Sequence, residues 1–293
     1  MDNNYEVIII GGGLAGLSLS IQLAQKNFTV AVFEKEEYPF HKVCGEYIAM
    51  QSMPFLERIG LDLKSHNFSR INRLRISSSN GTILDQELNP GGFGISRYLL
   101  EEELFKLAIK SGVKIHQNSK VENVTYKNNR FTITAKGQAF ESKLVIGAYG
   151  KRSNIDRELN RSFFKKPEKK NYVAIKYHLK ADLPRDIIEL HLFNSGYCGI
   201  SAIEDDKYCL CYLTTAESLK KANGNIEKLE TTLLAQNPFL QKYLSKFDKL
   251  YTEPLAISQI SFSDKKLIEN HVLMSGDAAG LITPLCGNGM SMA

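Results

Sequence analysis

The sequence predicts an α/β protein in which a parallel βαβ unit opens the chain and an antiparallel sheet forms a second domain. Three observations carry this. Tyr5 to Ile10 and Thr29 to Phe33 are rich in β-branched and apolar residues, as in strands buried on both faces of a parallel sheet. Between them, Leu17, Ile21 and Ala24 recur at helical spacing within Leu14 to Lys26. From Tyr172 onward the texture changes to longer strands joined by short turns, which suits antiparallel pairing.

After Glu34 the chain runs through Tyr38-Pro39-Phe40-His41-Lys42-Val43-Cys44-Gly45-Glu46, a stretch with loop chemistry. Ile71 to Ser77 and Thr82 to Leu88 flank Ser78-Ser79-Asn80-Gly81 and read as a hairpin. A helix follows from Tyr98 to Ser111, then short strands near Val113, Val121 and Phe131, and a buried strand from Leu144 to Ala148. The second half reads as strands at Tyr172 to Leu179, Ile187 to Phe193, Tyr197 to Ile203 and Lys207 to Thr214, with the turn Glu204-Asp205-Asp206 between the last two. Two helices lie between Ile226 and Phe247, the second started by Pro238. Leu255 to Phe262 and His271 to Ser275 return as strands.

The composition excludes several classes. With 37 Lys+Arg against 32 Asp+Glu in 293 residues, a net charge of +5 is no nucleic-acid footprint, and the basic stretch Arg157 to Lys180 reads as a solvated face. Cysteines at 44, 198, 209, 211 and 286 form no CxxC pair and lack zinc spacing, so no metal site is expected, and reduced thiols in a cytoplasmic protein are. Val7 to Ala24 is apolar but interrupted by Gly11, Gly12, Gly13 and Gly16, which argues against a signal peptide or transmembrane segment.

Gly11-Gly12-Gly13-Leu14-Ala15-Gly16 fits G-x-G-x-x-G between a strand and a helix, and Glu34 ends the next strand. In such a Rossmann-like unit Gly11 allows the tight turn, Gly13 lets backbone N–H groups approach a pyrophosphate, and Gly16 lets helix and strand pack closely. The helix N-terminus at Leu14 and Ala15 adds partial positive charge. Glu34 suits both ribose hydroxyls and repels a 2′-phosphate, so FAD or NAD fits this motif.

The choice comes from the other end of the chain. Ser275-Gly276-Asp277-Ala278-Ala279-Gly280, followed by Pro284 and Gly287-Asn288-Gly289-Met290, resembles the superfamily of FAD-dependent flavoprotein monooxygenases and geranylgeranyl reductases. The resemblance implies FAD, with Asp277 at the ribityl chain and Pro284, Gly287, Gly289 and Met290 beside the flavin ring. Lys42-Val43-Cys44-Gly45-Glu46 is similar to the reductases' Cys-Gly-Glu loop along the flavin, which implicates Cys44 and Gly45. Arg97 matches an R-x-x-L/F-x-x-x-L signature whose Arg contacts FAD. With Lys35 and Val121, these complete the candidate cofactor-binding set; no catalytic residue is assigned, and His178 and His191 read as surface or satisfied core residues.

The chain also departs from the family. Gly147-Ala148-Tyr149-Gly150-Lys151-Arg152-Ser153 carries Tyr149 where the hydroxylases have an Asp serving FAD and NAD(P)H. Gly196-Tyr197-Cys198-Gly199-Ile200-Ser201-Ala202 keeps only the opening of the reductases' G-Y-x-W-x-F-P strand. The absence of Trp removes the W-x-W-x-I-P signature of flavin-dependent halogenases. The expected organisation is a discontinuous FAD-binding domain from residues 1–70, 96–166 and 264–293, with 71–95 and 167–263 forming the substrate domain. The leading expectation is an NAD(P)H-dependent monooxygenase that hydroxylates a small aromatic or apolar substrate through a flavin C4a-hydroperoxide, with NADH or NADPH as electron donor. The alternatives are a geranylgeranyl reductase-like enzyme saturating double bonds of a prenyl or lipid substrate, compatible with peripheral membrane contact, and a flavin-binding protein without turnover. The ending Gly289-Met290-Ser291-Met292-Ala293 falls where the flavin-flanking helix is expected to begin, so the chain reads as truncated at its C-terminus.

Overall fold

The computed structural model describes residues 3–63, 66–165 and 171–292. The expected domain boundary at 166/167 and the last residue lie outside them.

The first sheet is built on β1 (Asn4–Ile10) and β2 (Val30–Phe33), joined by α1 (Leu14–Ala24) in a parallel βαβ unit with Val7 opposite Val30 and Ile10 opposite Phe33. β1 alternates across two cores. Val7 and Ile9 pack with Leu17 and Ile21 of α1, while Ile8 and Ile10 pack with Phe131 and Ile133 on the opposite face. The second face is covered by the hairpin β7 (Val121–Lys127) and β8 (Arg130–Ala135), which continues into β9 (Gln138–Gly147). With β6 (Lys114–His116), β16 (Ile268–Glu269) and β17 (Val272–Met274), the order is β16-β17-β9-β1-β2-β6. Residues 4–10 and 272–274 therefore flank β9 although nearly the whole chain separates them.

The second sheet has the order β14-β10-β13-β12-β11-β4-β5-β3. Its strands are β3 (Tyr47–Ala49), β4 (Ser69–Ser77), β5 (Ile83–Gly94), β10 (Tyr172–Lys180), β11 (Ile187–Phe193), β12 (Gly196–Ala202), β13 (Tyr208–Thr215) and β14 (Asp248–Lys249), with β15 (Leu255–Ile260) paired to β10. Helices α2 (Met53–Ile59) and α3 (Arg97–Lys110) lie with α1 on the first sheet, and α4 (Asn154–Glu158) and α5 (Ser162–Lys165) follow β9. α6 (Ala216–Lys221), α7 (Ile226–Thr232) and α8 (Pro238–Leu244) cover the outer face of the second sheet, where Leu229 and Leu240 meet Tyr212.

The structure corrects two expectations. The second sheet is mixed, because β4 and β11 run parallel with Leu74 opposite Ile188. β3 and the start of β4 join that sheet instead of the first domain, since Tyr47 pairs with Gly94 on the extended β5. After the 3-10 turn Pro284–Cys286 the described residues through Met292 form a bend and turns, with Gly287 left-handed at φ 66°. Among the described residues no helix is long and apolar enough to cross a membrane.

Candidate functional site

A cavity of about 1160 Å³ opens between the two sheets, beginning at the carboxyl ends of β1 and β2. Of the candidate residues, only Gly16 does not line it. Gly16 serves the loop from behind, where a Cβ would stand 2.0 Å from the Gly11 carbonyl oxygen. Gly11 has φ 103° and donates its N–H to the Phe33 carbonyl at 2.8 Å, which bends the chain away from β1. Gly13 caps α1 with no side-chain bond, and the first turn holds no acid. The N–H groups of that turn and the helix dipole are therefore presented to the cavity at Leu14 and Ala15.

Two cations stand over this loop. A Cβ on Gly13 would lie 3.6 Å from Lys42 Nζ and 3.7 Å from an Arg97 terminal nitrogen. Buried Glu101 holds both: Lys42 Nζ is 2.9 Å from its Oε2, and the Arg97 guanidinium bonds to its Oε1. Burial works against the Arg97 charge, but Glu101 outweighs it and the guanidinium is held protonated. Lys42 is one residue that sequence reasoning left out of the site; its place three positions before Gly45 was the available signal.

Glu34 has a further duty beyond the one expected. Its Oε2 accepts from Gly12 N–H at 2.8 Å and its Oε1 from Glu36 N–H at 3.1 Å, so the carboxylate braces the loop while lining the cavity. The Tyr38 hydroxyl donates to the Gly12 carbonyl from the same side. Lys35 and Val121 border the cavity at this end.

Asp277 sits in the 3-10 turn Gly276–Ala278, and burial raises its carboxyl above the usual range while Arg97 pulls it back. The turn is fixed by Arg161, which is 1% exposed and donates to the Ala278 carbonyl at 2.9 Å, the Lys266 carbonyl at 2.7 Å and Asp156 Oδ1 at 3.0 Å. Tyr149 donates its hydroxyl to the same Asp156 oxygen at 2.9 Å. Pro284, Gly287, Gly289 and Met290 close the adjoining rim.

The Cys44-Gly45-Glu46 segment forms the floor toward the second sheet. Burial pushes the Cys44 thiol up, so it stays protonated. Glu46 is fully buried and accepts from Arg97 N–H at 2.8 Å, from His178 Nε2 at 2.6 Å and from Lys176 Nζ. Burial alone would raise the Glu46 carboxyl; His178 and Lys176 outweigh it and hold it low. Cys209 brings its sulfur within 4.8 Å of the Glu46 and His178 ligand atoms, a cluster whose positive partner is already the Lys176 ammonium. His191, fully buried, bonds Ser77 Oγ at 2.8 Å and Glu189 Oε2 at 3.0 Å away from the cavity. Opposite the loop, the cavity is bounded by Leu74, Ile188, Leu190, Tyr197, Leu213 and Ile257, and none of the described residues that β4, β11, β12, β13 or β15 brings to it is charged.

Comparison with known proteins places the chain. It is 25% identical over 327 aligned residues to Conditioned medium factor receptor 1 of Dictyostelium discoideum, covering 99% of this chain and 61% of that protein. It is 24% identical to Digeranylgeranylglycerophospholipid reductase 1 of Methanococcoides burtonii, covering 100% of this chain and 72% of that protein. A flavoprotein/dehydrogenase from Cytophaga hutchinsonii shares the fold at TM-score 0.83 and 17% identity, covering 99% of this chain and 75% of that one. The chain thus spans less than two thirds of the first of these relatives. Residues 4–293 match the family model described as FAD binding domain, and the chain belongs to that family.

Proposed function

We propose that the chain holds FAD in this cavity and acts as an FAD-dependent oxidoreductase on an apolar substrate lying against the second sheet. One observation carries the reading: a single cavity joins a phosphate-type glycine loop, with Lys42 and Arg97 above it, to a wall whose described residues carry no charge. The residues suit FAD. Gly13 leaves the α1 amides free for a pyrophosphate, Lys42 and Arg97 neutralise it, and Glu34, Lys35 and Val121 border the adenosine end. Asp277 is assigned to the ribityl chain, and Cys44, Gly45, Pro284, Gly287, Gly289 and Met290 to the flavin end. FAD, when bound, supplies two-electron hydride chemistry. The chain's part is to bind, orient and exclude water, with protonated Cys44 and the uncharged wall keeping the flavin end dry.

Saturation of carbon–carbon double bonds in a prenyl or lipid substrate is the reaction this wall favours, and the Cys44-Gly45-Glu46 loop and a relative named as a lipid reductase support it. Hydroxylation of a small aromatic or apolar substrate is the second reading, favoured by the Gly147-Ala148 turn that keeps Gly150 and Ser153 of the hydroxylase phrase. NADH or NADPH is the proposed donor, reached by a route other than Tyr149, whose hydroxyl is bonded to Asp156.

Stopped-flow mixing of holoprotein with NADH or NADPH, first anaerobically and then with oxygen, tests this. Alkene saturation without oxygen supports the first reading, and substrate-stimulated oxygen uptake with a hydroxylated product supports the second. No flavin reduction by any donor would leave a flavin-binding protein without turnover.

A further inference from the structure

Gly199 lies in the interior of β12, where glycine costs strand stability and marks a bulge, a tight bend or a close approach. The structure removes the internal reasons. Its φ lies outside the left-handed region, and the register on both sides is regular, Leu190 opposite Gly199 on β11 and Cys211 opposite it on β13. A Cβ would meet only Leu190 Cδ2 at 3.5 Å and the Cys211 carbonyl oxygen at 3.7 Å, both ordinary contacts. Other strand glycines differ: a Cβ would stand 2.1 Å from the Leu213 carbonyl at Gly196, 1.8 Å from that of Ala202 at Gly94, and 2.6 Å from the Tyr149 ring at Gly147. Packing dictates those glycines, but no contact among the described residues dictates Gly199. It lines the cavity between Leu190 and Cys211, on the uncharged wall.

We propose that Gly199 is where the apolar part of the substrate lies against the sheet, and that its missing side chain sets the width of group the cavity admits. The inference rests on the flavin and substrate reading of the cavity and names the point of contact within it. The occupant is a hydrocarbon chain, because Leu190, Leu213 and Ile257 offer dispersion contacts and no charge.

The test titrates FAD-loaded wild type, Gly199→Ala and Gly199→Val with geranylgeraniol while recording the visible spectrum of the bound flavin. Wild type gives a saturable perturbation. Gly199→Val weakens it about tenfold or more, since added methyl groups occupy the same space, and Gly199→Ala falls between. FAD affinity and melting temperature of both variants stay at or above wild type, because the strand gains a better β former. Undiminished binding in Gly199→Val overturns the inference alone; if that variant fails to fold, undiminished binding in Gly199→Ala does so. Wild type that holds FAD but gives no saturable response overturns the inference and leaves the flavin reading standing. Wild type that cannot hold FAD overturns the flavin reading itself.

Discussion

The Glu46 carboxylate and the His178 imidazole, 132 residues apart, meet at 2.6 Å beneath the cavity and tie the Cys44 loop to β10 of the second sheet. Lys176 completes the cluster and also donates to the Lys42 carbonyl at 3.0 Å. Glu46→Gln leaves buried Lys176 uncompensated and is expected to destabilise the protein by roughly 3–5 kcal/mol, read from urea unfolding by far-UV circular dichroism. The sign of the pH dependence follows from the lowered Glu46 value. Its contribution is complete above the ordinary carboxylate range and is lost as pH falls through the depressed folded value. Glu46→Gln should remove that acid-side loss, and an unchanged pH profile would contradict the ion-pair account.

Arg161 and Asp277 should act together on cofactor binding. Asp277→Ala is expected to lose bound FAD, and Arg161→Gln to weaken FAD through the turn that its bonds to Ala278 and Lys266 hold in place. Dissociation constants for the two single variants and the double variant form a cycle. Strong non-additivity is expected; simple additivity would show that Arg161 does not act through Asp277, and an unchanged dissociation constant in Arg161→Gln would make it a stability residue only. Retention of wild-type FAD affinity in Asp277→Ala would remove the assignment of that carboxylate.

Lys42→Ala removes a cation facing the glycine loop and should raise the dissociation constant for FAD roughly 10- to 100-fold, the loss expected for a hydrogen bond to a charged group. The difference from wild type should shrink with added salt. Equilibrium fluorescence titration of the apoprotein with FAD at two salt concentrations measures both effects.

Tyr149→Asp restores the carboxylate that the hydroxylase phrase carries, but places it against Asp156, which now accepts from the Tyr149 hydroxyl. Like charges in a partly buried setting should lower the melting temperature and fail to speed reduction by NADH or NADPH. Tyr149→Phe, which loses one bond without adding charge, should be milder. A faster reduction in Tyr149→Asp would show that the lost carboxylate alone limited nicotinamide handling.

The opening βαβ unit was legible because its signals are local: β-branched runs, a helical period and glycines between them. Asp277 and Arg97 were legible through motif resemblance, and both line the cavity. The role of β3 was not, because nothing within Tyr47-Ile48-Ala49 states that it pairs with Gly92 to Gly94. Helix α6 went unread because it is six residues long and buries none of them. The Glu46 cluster was hidden because its partners lie on a strand distant in sequence, and Lys176 and His178 alone look like polar punctuation. In the sequence Gly199 stood only within a segment that keeps the opening of the reductases' strand pattern; in the structure it is room beside Leu190 and Cys211.

The flanking of β9 by the first strand and by β17 has a consequence in time. During synthesis the glycine loop emerges with the first strand, while the turn bearing Asp277 emerges only after the second sheet has been made. A ligand that touches both can be gripped fully only near the end of that sequence. Until then the early loop awaits its counterpart, and arrival of the late segment is the step at which cofactor supply can begin to favour the folded chain.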